Sequence, residues 1–299
     1  MTHVATLISN PARPALDAAA IAVAIGVLAT AQDARVLDPG IAVDIPFTPG
    51  GADDKAITAR LRAALEDRPI DVVVQPCAGR RKRLFVADMD STMIGQECID
   101  ELADYAGLKA HVAAITERAM RGEIAFEPAL RERVALLKGL PLAVVDDVIA
   151  KRITLTPGGR ALVQTMGRNG AYTCLVSGGF TVFTSRIAAM IGFDENRANR
   201  LTVVDGHKLE GRVAEPIFGR DGKRAALIEL RAELGLSKEE TMAAGDGAND
   251  LDMILEAGLG VAYHAKPKVA EAAAARIDHA DLTALLYVQG YARDEFVAA

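Results

Sequence analysis

The amino-acid sequence predicts an α/β protein: a Rossmann-like parallel sheet carrying an inserted helical cap, preceded by a small ferredoxin-like α+β domain. Three observations lead there. From Leu84 onward, apolar strand-like runs alternate with helical stretches, as in a parallel sheet covered by helices on both faces. Between Gln96 and about Arg152 that alternation stops, and only helical periodicity remains. The first eighty residues keep a rhythm of their own, strand–helix–strand–strand–helix–strand. At 299 residues the chain is long enough for about two domains and a smaller third. The boundaries read at 1–80 for the first domain, 81–95 with 153–299 for the sheet, and 96–152 for the cap.

In the first domain, residues 3–9 read as a strand and Pro14 opens an alanine-rich helix. The run from Ala18 to Gln32, between Asp17 and Asp33, is fifteen residues without a charge. It falls short of the ~20 needed to span a bilayer, and no basic stretch precedes it as in a signal peptide. It therefore reads as a buried helix. Residues 35–47 alternate and break at Asp38-Pro39-Gly40, giving two strands and a turn. Residues 53–66 form an amphipathic helix with Ile57, Leu61 and Leu65 on one face. Residues 70–74 are the last strand. The segment Gly79-Arg80-Arg81-Lys82-Arg83 reads as a solvated, charged linker.

Leu84-Phe85-Val86-Ala87 is apolar throughout and ends in Asp88, which suits a strand buried on both faces. Helices follow over 97–105, 111–121, 127–137 and 142–151, punctuated by Gly107, Gly122 and Gly139-Leu140-Pro141. After Thr156-Pro157-Gly158-Gly159 come a helix (160–168), a strand (172–176) and a helix (182–191). A hairpin (200–204 with 207–213), a helix (223–234), a strand (241–244), a helix (251–257) and a strand (260–263) complete the order.

In such a sheet, chemistry gathers at the carboxyl ends of the strands. Three apolar runs end in polar residues with glycine or another small residue: Asp88-Met89-Asp90-Ser91-Thr92, Ser177-Gly178-Gly179, and Gly245-Asp246-Gly247-Ala248-Asn249-Asp250. Lys223 opens a helix between the last two. Each alone is unremarkable, because a carboxylate after a strand is usually a helix cap and Ser-Gly-Gly usually a turn. Together and in this order they form a set. Asp88 and Asp90, two apart on extended backbone, project to one side. Carboxylates so close need a cation or a shared proton. Hard oxygen donors without imidazole or thiolate favour Mg²⁺ over zinc, and such a metal is a site for phosphate. Ser177 offers a hydroxyl, Gly178 and Gly179 offer close backbone approach, and Lys223 offers a point charge. An aspartate can also act as a nucleophile.

Asp88-x-Asp90-x-Thr92, Ser177, Lys223 and Gly245-Asp246-Gly247-x-Asn249-Asp250 resemble the four ordered motifs of the haloacid dehalogenase superfamily. The stretches Asp88–Ala103, Met120–Phe126, Arg131–Val134 and Gly258–Pro267 resemble the phosphoserine phosphatase family within it. The likeness runs from about residue 83 to 290, with no departure at the motif positions. It implies Mg²⁺-dependent hydrolysis of O-phospho-L-serine through an aspartyl-phosphate, the last step of serine biosynthesis. It implies Asp88 as nucleophile and metal ligand, and Asp90 as general acid/base that lends the metal its backbone carbonyl. Asp246 is implied as a further metal ligand, with Asp250 behind it. Ser177, the Gly178 amide and Lys223 would hold phosphoryl oxygens, with Asn249 close by. Glu97 would face the substrate's ammonium, Arg133 its carboxylate, and Phe126 and Met120 would close over its side chain. Read from pattern alone, those two apolar residues are core, Arg133 is a solvated charge and Glu97 a helix-dipole partner. The alternatives are the same chemistry on another small phosphomonoester, phosphoryl transfer to a second hydroxyl, or an amino-acid-binding protein with a degenerate core. The last would need gaps in the motifs.

The βαββαβ order resembles ACT-type regulatory modules, which implies serine regulation or a homodimer through the sheet edge; a stabilising appendage is the other reading. Lys and Arg number 34 against 40 Asp and Glu, a net charge of -6, which argues against a nucleic-acid surface. No membrane partner is expected. Cys77, Cys98 and Cys174 match neither a zinc spacing nor a disulfide framework, which points to a reducing, cytoplasmic setting.

Overall fold

The computed structural model describes residues 1–120 and 123–298, with Ala119 and Met120 described by their backbone alone. The chain opens with β1 (His3–Ser9), α1 (Ala18–Val27), β2 (Arg35–Asp38), β3 (Ala42–Phe47), α2 (Asp54–Ala64) and β4 (Ile70–Pro76). The four strands form an antiparallel sheet in the order β2-β3-β1-β4, the ferredoxin-like arrangement expected. Ala5, Leu7, Val43, Ile45, Val72 and Val74 alternate onto one face, where Ala20 and Ala24 of α1 and Ile57 and Leu61 of α2 cover them. Ile8, Ala42 and Val73 alternate onto the other face and join the main core.

Two sequence expectations fail here. Helix α1 starts at Ala18, not at Pro14, because the Asp17 side chain caps it by accepting from the Ala20 amide at 2.8 Å. Nor is it a buried helix: Ala20 and Ala24 are its buried residues, and Val23 is 42% exposed. A helix of alanine, valine and isoleucine has no polar face to mark its outside, and a single sheet can cover only one stripe of it.

The basic linker is solvated only in part: Gly79, Arg81 and Arg83 are exposed, whereas Arg80 and Lys82 turn inward. Arg80 donates to both Asp44 carboxylate oxygens (2.7 and 3.0 Å), to the Thr6 hydroxyl (3.1 Å), and to the Tyr287 and Val288 carbonyls (3.2 and 3.1 Å). Arg81 lies 4.0 Å over the Tyr291 ring and pairs with Glu295. The Lys82 ammonium is buried between the Gly79 and Glu239 carbonyls. From β4, Asp71 accepts the amides of Asp278, His279 and Ala280, and Gln75 donates to the Val288 carbonyl. These residues join the N-terminal sheet to the rest of the molecule. Charge runs are usually wet, but this run lies along a seam lined with carbonyls and carboxylates.

The second sheet begins with β5 (Leu84–Asp88). Helices α3 (Cys98–Tyr105), α4 (Lys109–Met120), α5 (Phe126–Leu136) and α6 (Val144–Arg152) follow as an all-helical insert. Then come α7 (Gly159–Arg168), β6 (Tyr172–Phe180), α8 (Thr181–Ile191) and β7 (Glu195–Asn199). The hairpin β8 (Leu201–Val204) and β9 (Lys208–Val213) leads to α9 (Arg220–Glu233), β10 (Thr241–Gly245), α10 (Leu251–Glu256), β11 (Leu259–Tyr263), α11 (Pro267–Ala272), β12 (Ala275–Ile277) and α12 (Ala284–Val288). Six parallel strands stand in the order β12-β11-β10-β5-β6-β7. Leu84 and Val86 pack with Leu227 of α9 on one face. Phe85 and Ala87 pack with Leu162 of α7 and Phe183 of α8 on the other. Strand β5 is thus buried on both sides, as its unbroken apolar run required. The hairpin leans on the insert: the Leu209 amide donates to the Leu140 carbonyl at 2.9 Å. The helix expected to open at Lys223 instead opens at Arg220.

Strands β7 and β12 and helices α11 and α12 were not legible in the sequence. Strand β7 is polar because it is a sheet edge, and β12 has three residues. The three cysteines are free, and among the described residues no helix is long and apolar enough to cross a membrane.

Candidate active site

From β5 the chain runs outward to β6 and β7, then returns to lay β10 on the other side of β5. This reversal of direction is where open α/β sheets form their ligand crevice. The ends of β5, β6 and β10 therefore bring Asp88, Ser177 and Gly245-Asp246 side by side, as the motifs require.

Lys223 is completely buried and reaches this edge from α9, 2.6 Å from Asp88 Oδ1 and 2.7 Å from Asp250 Oδ1. Burial opposes its charge, but the two carboxylates outweigh burial and hold the ammonium above the usual lysine value. Asp88 also accepts from the Met89 amide at 2.7 Å, and Asp250 from the Gly247 amide at 3.0 Å. Gly245 is needed for this packing: a Cβ there would lie 2.4 Å from Asp250 Cγ.

Asp90 accepts from the Cys98 amide at 2.9 Å and from the Ser177 hydroxyl at 3.0 Å. Its carboxyl is thereby tied both to the start of α3 and to β6. Ser177 in turn accepts from the Gly179 amide at 2.8 Å. Between Asp90 and α3 the backbone turns tightly, with Ser91 left-handed at φ 56°. The Ser91 hydroxyl donates to Glu97 Oε1 at 2.7 Å.

Burial first, then the Asp250 charge, raises the Asp88 carboxyl well above the ordinary value and pushes Asp246 up to about 6. Asp90 is raised by burial, against its hydrogen bonds from Cys98 and Ser177. Oxygens of Asp88, Asp246 and Asp250 lie within 4.8 Å of one another. Carboxylates at this spacing suit a hard divalent cation, and the donor set fits one.

A cavity of about 480 Å³ opens above these groups. Asp88, Asp90, Ser177, Gly178, Asp246 and Asn249 line its floor. Glu97 of the α3 turn, with Phe126 and Arg133 of α5, lines its roof. Phe126 is 40% exposed and packs over β6, where a Cβ on Gly178 would meet its ring at 3.4 Å. That glycine gives the ring room as well as offering its amide. Arg133 donates to the Ala129 carbonyl (3.3 Å) and the Thr116 hydroxyl (3.4 Å). Burial lowers its pKa, while Asp100 and Glu97 support its charge. Burial, then the Asp90 charge, pushes Glu97 up to about 7.

The cavity thus gathers Asp88, Asp90, Asp246, Glu97, Phe126, Arg133, Ser177, Gly178 and Asn249, with Lys223 just behind its floor. The expectation for the Met120 side chain lies outside the described residues. Thr116, Asp100 and Lys266 also line the cavity and were not among the expected site residues. Thr116 and Asp100 sit within helices as ordinary polar residues, and Lys266 lies in the family-like stretch Gly258–Pro267 with no role assigned to it.

The haloacid dehalogenase-like hydrolase family model matches residues 85–255. A phosphoserine phosphatase of Polaromonas sp. is 51% identical over 209 residues, covering 68% of this chain and 88% of that one. A longer phosphoserine phosphatase of Mycobacterium tuberculosis is 42% identical over 87% of this chain, which spans 63% of its length. Among solved structures, a HAD family hydrolase from Salmonella enterica serovar Typhi superposes with a TM-score of 0.85 at 29% identity. That match covers 96% of this chain and 98% of the other, so the N-terminal sheet is shared too. A phosphoserine phosphatase captured as an analogue of its phospho-aspartyl intermediate is 40% identical, with a TM-score of 0.63, covering 69% of this chain and 98% of that one.

The chain belongs to the haloacid dehalogenase-like hydrolases. Within them it belongs to the phosphoserine phosphatase family.

Proposed function

We propose that this chain hydrolyses O-phospho-L-serine to L-serine and phosphate with the aid of Mg²⁺, through an aspartyl-phosphate, as the last step of serine biosynthesis in the cytoplasm. The observation that carries the reading is that a single cavity holds phosphate-type groups at its floor and, at its roof, the Glu97 carboxylate and the Arg133 guanidinium on separate elements, with Asp100 supporting the Arg133 charge. Phosphoserine requires this combination: a phosphoryl group, an ammonium for Glu97 and a carboxylate for Arg133. The phospho-aspartyl analogue of the 40%-identical relative supports a covalent route.

In the first step an Asp88 carboxylate oxygen attacks phosphorus in line, the bond from phosphorus to the serine oxygen breaks, and Asp90 gives that oxygen a proton. In the second, Asp90 takes a proton from water, the water oxygen attacks phosphorus, and the bond to Asp88 breaks. The Ser177 hydroxyl and the Gly178 amide hold phosphoryl oxygens, and Lys223 neutralises charge from behind. Asp88, Asp246 and the Asp90 carbonyl would hold Mg²⁺, which supplies positive charge against the phosphoryl oxygens when bound. Phe126 covers the substrate and limits water. We take the chain as an N-terminal regulatory or stabilising domain (1–80), a catalytic core (81–95 and 153–299) and a cap (96–152).

Phosphate release from a panel of phosphomonoesters, with and without Mg²⁺, tests this. Phosphoserine should lead the panel, and only with the metal. An uncharged aryl phosphate turned over better than phosphoserine would point to another small phosphomonoester.

A further inference from the structure

A second cavity, of about 610 Å³, lies on the seam between α2 and β4 on one side and α11 and β12 on the other. It is not part of the active site, and its volume is in the range of cavities that bind small organic molecules. Its apolar wall includes Val74, Pro76, Leu259 and Ala270. Four cations line it; Lys55 is exposed and Arg276 pairs with Asp278, which leaves Lys82 and Arg62.

Neither cation has a carboxylate within ion-pair distance among the described residues. The buried Lys82 ammonium donates to two carbonyls, Gly79 O and Glu239 O, each at 2.7 Å, which leaves its third hydrogen without a partner. Arg62, half-buried, donates to the Val72 carbonyl at 3.4 Å and the Arg276 carbonyl at 3.2 Å. Burial lowers the pKa of both, and for Arg62 the neighbouring Arg276 lowers it further; Asp278 and Asp71 at Arg62, and Glu239 at Lys82, oppose this from beyond contact distance. Of the acidic groups on the rim, Asp54 faces His3, Glu271 is exposed to solvent, and Glu239 acts on Lys82 only beyond contact distance. Burying a cation without a contact ion pair costs stability, and an anionic group at its free N–H offsets that cost.

We infer that this seam cavity is a second ligand site, built for a small organic anion with an apolar body, whose acidic group meets Lys82 and Arg62 and whose body lies on the Val74–Leu259 wall. A ligand there touches both sheets at once. It also touches α11, whose preceding residue Lys266 lines the active site and donates its amide to the Asp246 carbonyl at 3.0 Å.

The test uses 8-anilinonaphthalene-1-sulfonate, a fluorescent sulfonate with an apolar body, titrated into the full chain. Saturable one-to-one binding is expected, unaffected by excess phosphoserine. Affinity should fall by about tenfold or more in Lys82→Met and in Arg62→Gln, as expected when a charge-assisted contact is lost. Phosphate release by both variants is the control for correct folding. If Lys82→Met does not fold, Arg62→Gln alone decides. Binding that both variants retain at full strength would put the probe elsewhere, for example on the exposed side of α1, and overturn the inference. Displacement by phosphoserine, or the absence of any saturable binding, would overturn it equally.

Discussion

At the floor of the active-site cavity, Asp88, Asp90, Asp250 and Lys223 each have two partners, all at 3.0 Å or less. At the roof, Glu97 is held by the Ser91 hydroxyl, and Arg133 by contacts of 3.3 and 3.4 Å. The floor is set by strand ends in a close-packed sheet and the roof by short helices of an insert. The difference suits two tasks. Phosphoryl transfer needs charges fixed before the substrate arrives, whereas choosing a substrate needs groups that complete their contacts only when it does. The floor should therefore govern the rate on every phosphomonoester, and the roof should govern which one is taken.

The sharpest way to break this comparison is at the floor. Asp88→Asn should lower phosphate release from every substrate by about 10⁴-fold or more, with no labelled protein formed from ³²P-phosphoserine. Retained turnover would remove the nucleophile. Metal removal should have the next largest effect. Chelation should stop turnover, and Mg²⁺ at about 100 times its Kd should raise unfolding stability by about 2.7 kcal/mol. Thermal unfolding of Asp246→Asn with and without Mg²⁺ checks the site, because that variant should lose most of the shift.

A smaller effect separates the active site from the seam. Arg80→Ala leaves Asp44 buried without its cation, and should cost about 3 kcal/mol in denaturant unfolding while KM stays unchanged. A changed KM would mean the two sheets communicate through Arg80. The smallest effect belongs to Thr116, a positioning residue for Arg133. Thr116→Val should raise KM for phosphoserine about threefold with kcat unchanged, and Thr116→Ser should restore it. A fall in kcat instead would move Thr116 from the roof to the chemistry.

The same contrast decided what could be read from the sequence. The floor was legible almost residue by residue, because strand ends in a parallel sheet come as apolar runs closed by short polar signatures. The roof came from resemblance. Glu97, Phe126 and Arg133 have no pattern of their own that separates them from a cap, a core residue and a solvated charge. Thr116, on α4 while Arg133 is on α5, could not be found without the fold. At the seam the sequence misled in part: Arg80 and Lys82 look like a wet linker because nothing local shows that Asp44 and the Glu239 carbonyl will meet them, while Arg81 and Arg83 are exposed as expected. Helix α1 misled in the opposite sense, since apolar composition does not reveal that one side of it faces solvent.

The division between floor and roof is tested most directly by the ratio of kcat/KM for phosphoserine to that for 4-nitrophenyl phosphate, measured in the unsubstituted chain and in Arg133→Ala. The ratio should collapse by about 10²-fold, because a carboxylate loses its charged partner, while the value for 4-nitrophenyl phosphate stays within about threefold. An unchanged ratio, or an equal fall for both substrates, would contradict the account.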